Sequence, residues 1–143
     1  VPKEDYVVPL GKADVKRKGN DITVVAGSIM VKRALEASKE LEKEGIDIEV
    51  IDPRTLKPLD IQTIVESVKK TGRIMIVEDD PLSYGWGAEV AARIAGSEAF
   101  DYLDAPIKRL AGLDIPIPYN PNLEKHAVPQ APDIIKAIRE MLG

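Results

Sequence analysis

Short β-branched apolar runs alternate along this chain with stretches of helical periodicity. Ile22–Ala26 (ITVVA) is continuously apolar apart from Thr23, as expected of a strand covered on both faces. The next stretch, Ile29–Glu44, places Val31, Ala34, Leu35 and Leu41 on one side and Lys32, Glu36, Lys39, Glu40 and Lys43 on the other, which predicts an amphipathic helix closed near Gly45. Ile46–Ile51 (IDIEVI) reads as a second strand, stopped by Asp52-Pro53. Asp60 is a good N-cap for a helix over Ile61–Lys70, which carries Lys69 and Lys70 in its last turn and stops at Gly72. Ile74–Val77 reads as a third strand and runs into the acidic group Glu78, Asp79, Asp80. An alanine-rich helix is expected around Ala88–Ile94, short strands at Ala99–Leu103 and Ile107–Leu110, and a final helix from Pro132 with Ile134, Ile135, Ile138, Met141 and Leu142 inward. The three prolines of Asp114–Pro121 exclude an interior strand.

Strands alternating with helices predict an α/β fold, a three-layer α/β/α sandwich with a mostly parallel sheet. Residues 1–20, rich in Pro, Gly and charge, read as an N-terminal arm or linker, leaving 21–143 as one α/β domain. The chain begins with Val1 rather than Met, which reads as processing or excision from a longer protein.

Composition narrows the chemistry. With 0 cysteines there is no disulfide, thiolate metal site or cysteine nucleophile, and with His 1 there is no His-rich metal site. A net charge of -4 over 143 residues gives no electrostatic case for nucleic acid or an anionic membrane. No apolar run approaches the ~20 residues of a membrane span. The reading is therefore a cytoplasmic chain without nucleic-acid or membrane partners.

The candidate chemistry is thin. Gly85-x-Gly87 precedes a helix, as in phosphate-binding loops, but the third glycine is missing and the motif does not follow the first strand; tight-turn glycines are the simpler reading. Glu78–Asp80 lies at the carboxyl end of a strand, where α/β sheets bind ligands, yet three successive residues of an extended segment do not face one cation; a solvated rim or a partner contact fits better. His126 has no nucleophile beside it. Arg54 suits either a carboxylate clamp or a loop pair with Asp52 or Asp60. Tyr84 and Trp86, the latter the chain's one tryptophan, fall in a Pro/Gly loop outside the regular core and suit interface anchors. Catalytic, cofactor-binding and metal-binding residues are accordingly assigned to none.

Ordered motifs then carry a resemblance. Asp52-Pro53-Arg54-Thr55-Leu56-Lys57-Pro58-Leu59-Asp60 closely resembles the D-x-R-T-L-x-P-x-D segment in the C-terminal domain of 2-oxoacid dehydrogenase E1 component beta subunits, the pyruvate, branched-chain 2-oxoacid and acetoin enzymes. Pro9-Leu10-Gly11-Lys12-Ala13, Met30-Val31 with Ala34-Leu35-Glu36-Ala37, Gly85-x-Gly87-Ala88-Glu89-Val90, Ala105-Pro106-Ile107-Lys108-Arg109-Leu110 and Pro116-Ile117-Pro118-Tyr119 resemble further segments in the same order, over nearly the whole chain. Where many members carry Pro-Arg-Thr-Gly-Gly, this chain has Pro81-Leu82-Ser83-Tyr84-Gly85, so Leu82 replaces an arginine and Tyr84 a glycine.

The resemblance implies a transketolase C-terminal domain-like fold and a non-catalytic assembly and dimerisation role. The complete thiamine-diphosphate-dependent enzyme would decarboxylate a 2-oxoacid and acylate the lipoyl group of E2, with its thiamine diphosphate and Mg held by segments other than these. The implied partners are a second copy in a homodimer, the E1 alpha subunit and the E2 subunit-binding domain. The candidate partner-binding residues are Tyr84 and Trp86 for self-association, and Asp101 and Asp104, brought together by a turn at Ala105-Pro106, for the basic E2 module. A stand-alone small-molecule or anion-binding α/β domain is the alternative.

Overall fold

A computed structural model describes residues 6–143. Five strands, β1 (Asp14–Arg17), β2 (Ile22–Ala26), β3 (Ile48–Asp52), β4 (Ile74–Pro81) and β5 (Lys108–Gly112), form one sheet in the order β1-β3-β2-β4-β5. The pairs β2–β3, β2–β4 and β4–β5 are parallel, while β1 lies antiparallel on β3. Helices α1 (Ile29–Glu42), α2 (Ile61–Thr71), α3 (Trp86–Ala95), α4 (Pro121–Ala127) and α5 (Ala131–Leu142) complete the domain.

Strict alternation along the strands divides the core into two layers. Ile22, Val24, Ile48, Val50, Met75 and Val77 face α1 and α5, where Met30, Ala34, Leu41, Ile134 and Ile138 cover them. The intervening Val25, Ile51, Ile74 and Ile76 meet Ile64, Val65 and Val68 of α2 and Val90 and Ile94 of α3. Each large side chain so buried contributes roughly 1.5–3 kcal/mol, and the two layers make the expected α/β/α sandwich.

Local chemistry ends the helices. The Asp60 carboxylate accepts hydrogen bonds from Thr63 N–H at 3.3 Å and from Ala13 N–H at 3.1 Å, so it caps α2 and ties down the incoming chain. Gly72 ends α2 in the left-handed region at φ 68, which a side chain resists.

Two expectations are corrected and one element is added. Asp14–Arg17 lies within the segment read as an arm, yet it is a strand. Its charged sequence carries no core signal, because an edge strand borrows its partner, β3, from elsewhere in the chain. Ala99–Leu103 is not a strand: Glu98–Tyr102 forms a 3-10 turn, opened by the Ser97 hydroxyl accepting from Ala99 N–H. Helix α4 went unread, although Asn120 as cap and Pro121 at the first helical position are its standard signal.

Candidate functional site

The loops leaving β2, β3 and β4 meet at the carboxyl edge of the sheet, where open α/β folds place their sites. A shallow cleft of about 220 Å³ opens there between Gly27, Ser28, Arg54, Asp79, Asp80 and Trp86. Each of these loops holds one non-glycine residue in the left-handed region: Ser28 at φ 54, Arg54 at φ 58 and Tyr84 at φ 62. Such residues cost on the order of 1–3 kcal/mol each and gather where a loop's shape serves a purpose beyond stability.

In β4, next to Asp79 and Asp80 of this cleft, an ion pair corrects the reading of the acidic run as a solvated rim. Glu78 is fully buried. It shares a sheet face with Ile74 and Ile76, and its carboxylate accepts from Arg109 Nε at 3.1 Å, Arg109 Nη2 at 2.5 Å and the backbone N–H of Gly87 at 2.7 Å. The N-terminus of α3 thus receives its anion from within the chain. This also explains the glycine pair. Gly85 has φ -61, open to any residue, but a Cβ there would lie 2.6 Å from Glu78 Oε2, and a Cβ on Gly87 would lie 2.5 Å from Oε1. The glycines make room for a carboxylate rather than for a turn or a phosphate.

The remaining candidates scatter. Arg54 pairs through its guanidinium with neither Asp52 nor Asp60 but with Asp14 of β1, at 2.7 Å, while its backbone N–H donates to Asp52. Trp86 is not outside the core: it opens α3, is half-buried, and lies against Gly27 and the α2/α3 layer. Tyr84 is fully exposed. Asp101 and Asp104 lie at the opposite end of the sheet, where Asp104 N–H donates to Gly72 O at 2.8 Å just before β4 begins, and the Asp104 carboxylate is 3.8 Å from Arg73. The structure therefore separates the aromatic pair from the acidic pair. His126 is exposed on the last turn of α4.

Sequence reasoning missed a larger surface. The Ser83 backbone N–H and hydroxyl both donate to Asp114 at 2.8 Å, and these bonds hold the Asp114 carboxyl below its usual range. Leu82 N–H donates to Gly112 O and Leu113 N–H to Ala127 O. The loops after β4 and β5 are thereby tied to each other and to α4; the loops present Leu82, Tyr84, Leu113, Ile115, Ile117 and Tyr119 to solvent, and α4 presents Leu123. Apolar side chains spaced along a proline-rich segment and one remote loop show no periodicity, so only the fold assembles them.

Among the described residues no three His, Asp or Glu side chains come together as metal ligands, and no helix is long and apolar enough to cross a membrane. Thiamine diphosphate with Mg does not fit the residues present. The best-placed helix N-terminus is filled by Glu78, and the cleft offers Asp52, Asp79 and Asp80 against one cation, Arg54, already paired with Asp14.

Known proteins place this geometry. The model of the transketolase C-terminal domain matches residues 11–134. The chain is 48% identical over 140 residues to the pyruvate dehydrogenase E1 component subunit beta of Rhizobium meliloti, covering 97% of this chain and 30% of that protein. It is 51% identical over 134 residues to that of Rickettsia bellii, covering 94% and 41%, and 48% identical over 140 residues to the mitochondrial subunit of Bos taurus, covering 98% and 39%. It thus spans well under half the length of these relatives. A solved split-gene transketolase, described as an inactive beta4 tetramer, superposes with a TM-score of 0.82 at 31% identity, over 96% of this chain and 43% of that one. A 2-oxoglutarate:ferredoxin oxidoreductase from Magnetococcus marinus shares the fold at a TM-score of 0.61 and 9% identity, over 92% of this chain and 19% of that one. Matched by the family's model over residues 11–134, the chain belongs to the transketolase C-terminal domain family, with strong homology to pyruvate dehydrogenase E1 beta subunits.

Proposed function

We propose that this domain is the non-catalytic assembly domain of an E1 beta subunit, in a thiamine-diphosphate-dependent 2-oxoacid dehydrogenase whose cofactor and catalytic groups are supplied by other segments. The observation that carries this reading is the exposed apolar surface built by Leu82, Tyr84, Leu113, Ile115, Ile117, Tyr119 and Leu123. Apolar patches of this kind, on loops braced by hydrogen bonds, are the usual mark of a protein contact. Its occupant in this reading is a second copy of the chain, with Tyr84 and the exposed edge of Trp86 among the contacts. The beta4 assembly named for the transketolase neighbour supports self-association in this domain class. The E1 alpha subunit is the further partner in the complete enzyme.

Asp101 and Asp104 sit at the other end of the sheet, free of that surface, and in this reading they meet the basic E2 subunit-binding module. Light scattering of the chain at about 100 μM tests the first part. A dimer that dissociates on dilution is expected by mass action, and a strict monomer overturns it. Surface plasmon resonance against the E2 module at two salt concentrations tests the second. Unchanged kinetics in both D101A and D104A remove this patch from the docking site. The alternative, a ligand-binding domain using the carboxyl-edge cleft, is disfavoured for anions because the cleft's cation is engaged by Asp14.

A further inference from the structure

A second surface of different chemistry borders the apolar one. β5 is the last strand of the sheet, so one of its edges has no strand neighbour. Beside that edge runs a groove of about 400 Å³, bounded by β5, the end of α4 and α5. Its floor is apolar, from Leu110, Ala127, Val128 and Ala137, and its rim carries Lys108, Lys125 and Lys136, all exposed. Of the two acids on the rim, Asp133 is occupied in capping α5, accepting from Gln130 N–H at 2.8 Å. That bond from a neutral N–H leaves Asp133 its charge, so Asp133 and Glu140 together face three lysines. The opposite edge of the sheet differs: on β1, Lys16 and Asp14 pair at 2.6 Å and Arg17 pairs with Asp47 at 2.8 Å, so its charges are balanced on the spot. Charged edge residues normally discourage pairing. Around β5 the lysines outnumber the acids, Lys108 on the strand itself with Lys125 of α4 and Lys136 of α5 against Asp133 and Glu140, and this excess would instead select a partner of opposite charge.

We propose that β5 and this groove bind an extended acidic segment of a partner protein by strand addition. The partner's main chain would pair with the free edge of β5, its alternate apolar side chains would enter the groove over Leu110 and Ala137, and its carboxylates would meet Lys108, Lys125 and Lys136. Main-chain pairing supplies affinity in such complexes, while the side-chain pockets and charge supply selection. The groove shares Leu113 with the patch assigned to self-association, but Lys108 and Lys136 lie outside that patch, so variants at these two lysines separate the two proposals.

The test uses the chain with a synthetic seven-residue peptide of alternating Val and Glu, blocked at both ends. The comparison peptides are the Val/Lys analogue and a Val/Glu peptide N-methylated at alternate residues, which keeps its charge but cannot form a ladder. Binding of the Val/Glu peptide should move the amide resonances of residues 108–112 and weaken on raising salt. The K108E/K136E double variant, with an unchanged circular dichroism spectrum, should weaken it about tenfold or more. Equal binding of the Val/Lys peptide, equal binding of the N-methylated peptide, or resonance changes confined to other elements would each overturn the proposal. So would absence of binding at millimolar peptide.

Discussion

At the residue scale, the structure turns on carboxylates that the sequence presents as surface charge. Glu78 is held by Arg109 from β5 and by the first turn of α3, so one buried ion pair joins three elements. Removing one partner leaves the other charged and buried, which costs far more than the intact pair contributes. R109A should therefore lower stability by about 3–5 kcal/mol in urea denaturation. G87A should fail in a comparable way, because its Cβ meets both Glu78 and Ile76. An R109A midpoint within error of the parent would show that the pair is not structural. Glu49 is a second case: buried on β3, it accepts from Ser67 Oγ at 2.6 Å, Lys70 Nζ at 2.5 Å and Gly19 N–H. Burial pushes its carboxyl up, but the hydrogen bonds from Lys70, Ser67 and Gly19 together outweigh it and hold the carboxyl below its ordinary 4.5. A depressed native pKa means stability that is present above the unfolded value and lost as pH falls through the native one. Between about pH 5 and 3 the parent should lose more stability than E49Q, read from urea midpoints. Parallel curves would assign the acid sensitivity elsewhere. Tyr84 carries the opposite lesson. The tyrosine at φ 62 is held in a conformation glycine adopts freely. Y84G should raise monomer stability by up to about 1 kcal/mol and weaken self-association at the same time. A loss of stability would mean that the tyrosine packs within its own chain.

At the scale of elements, capping and edges decide what forms. Asp60 was legible as a cap because its chemistry is local. Its second bond, to Ala13 N–H, was not, since that partner lies 47 residues away. D60A should cost about 1 kcal/mol by the cap alone. Hydrogen exchange should show faster amides at Ala13 as well as Thr63, and protection unchanged at Ala13 would confine the role to the helix. β1 and the 3-10 turn at Glu98–Tyr102 show the limits of periodicity. Asp14–Arg17, three of its four residues charged, becomes a strand because β3 offers a partner, while Ala99–Leu103, read as a strand, falls instead on the 3-10 turn opened by Ser97. Lys69 of α2, 3.1 Å from Glu98 and 5.5 Å from the centroid of the Tyr102 ring, holds that turn against the helix.

At the scale of the whole molecule, the two ends of the sheet have different characters. The carboxyl edge carries the strained loops, the buried ion pair and the apolar surface; the amino edge carries Asp101, Asp104 and the Glu49 hydrogen-bond group. Asp104 is exposed and only loosely paired with Arg73, so D104A should leave stability within about 0.5 kcal/mol of the parent. If it meets an arginine in a desolvated contact, the same variant should weaken docking on the E2 module by about 2–5 kcal/mol. A change in association rate alone would make it a rim charge. By itself, the sequence determined the layers, the alternation of the central strands and helices and the family motifs, because hydrophobic period, caps and turn residues act over a few neighbouring positions. Only the tertiary structure decided where the charges went. Which face Glu78 takes is set by strand alternation, but its burial depends on Arg109, 31 residues away, and on glycines that leave room for it. The apolar surface was decided in the same way, since Leu82 and Tyr84 join Leu113–Tyr119 only after parallel pairing of β4 and β5 brings their following loops to one edge.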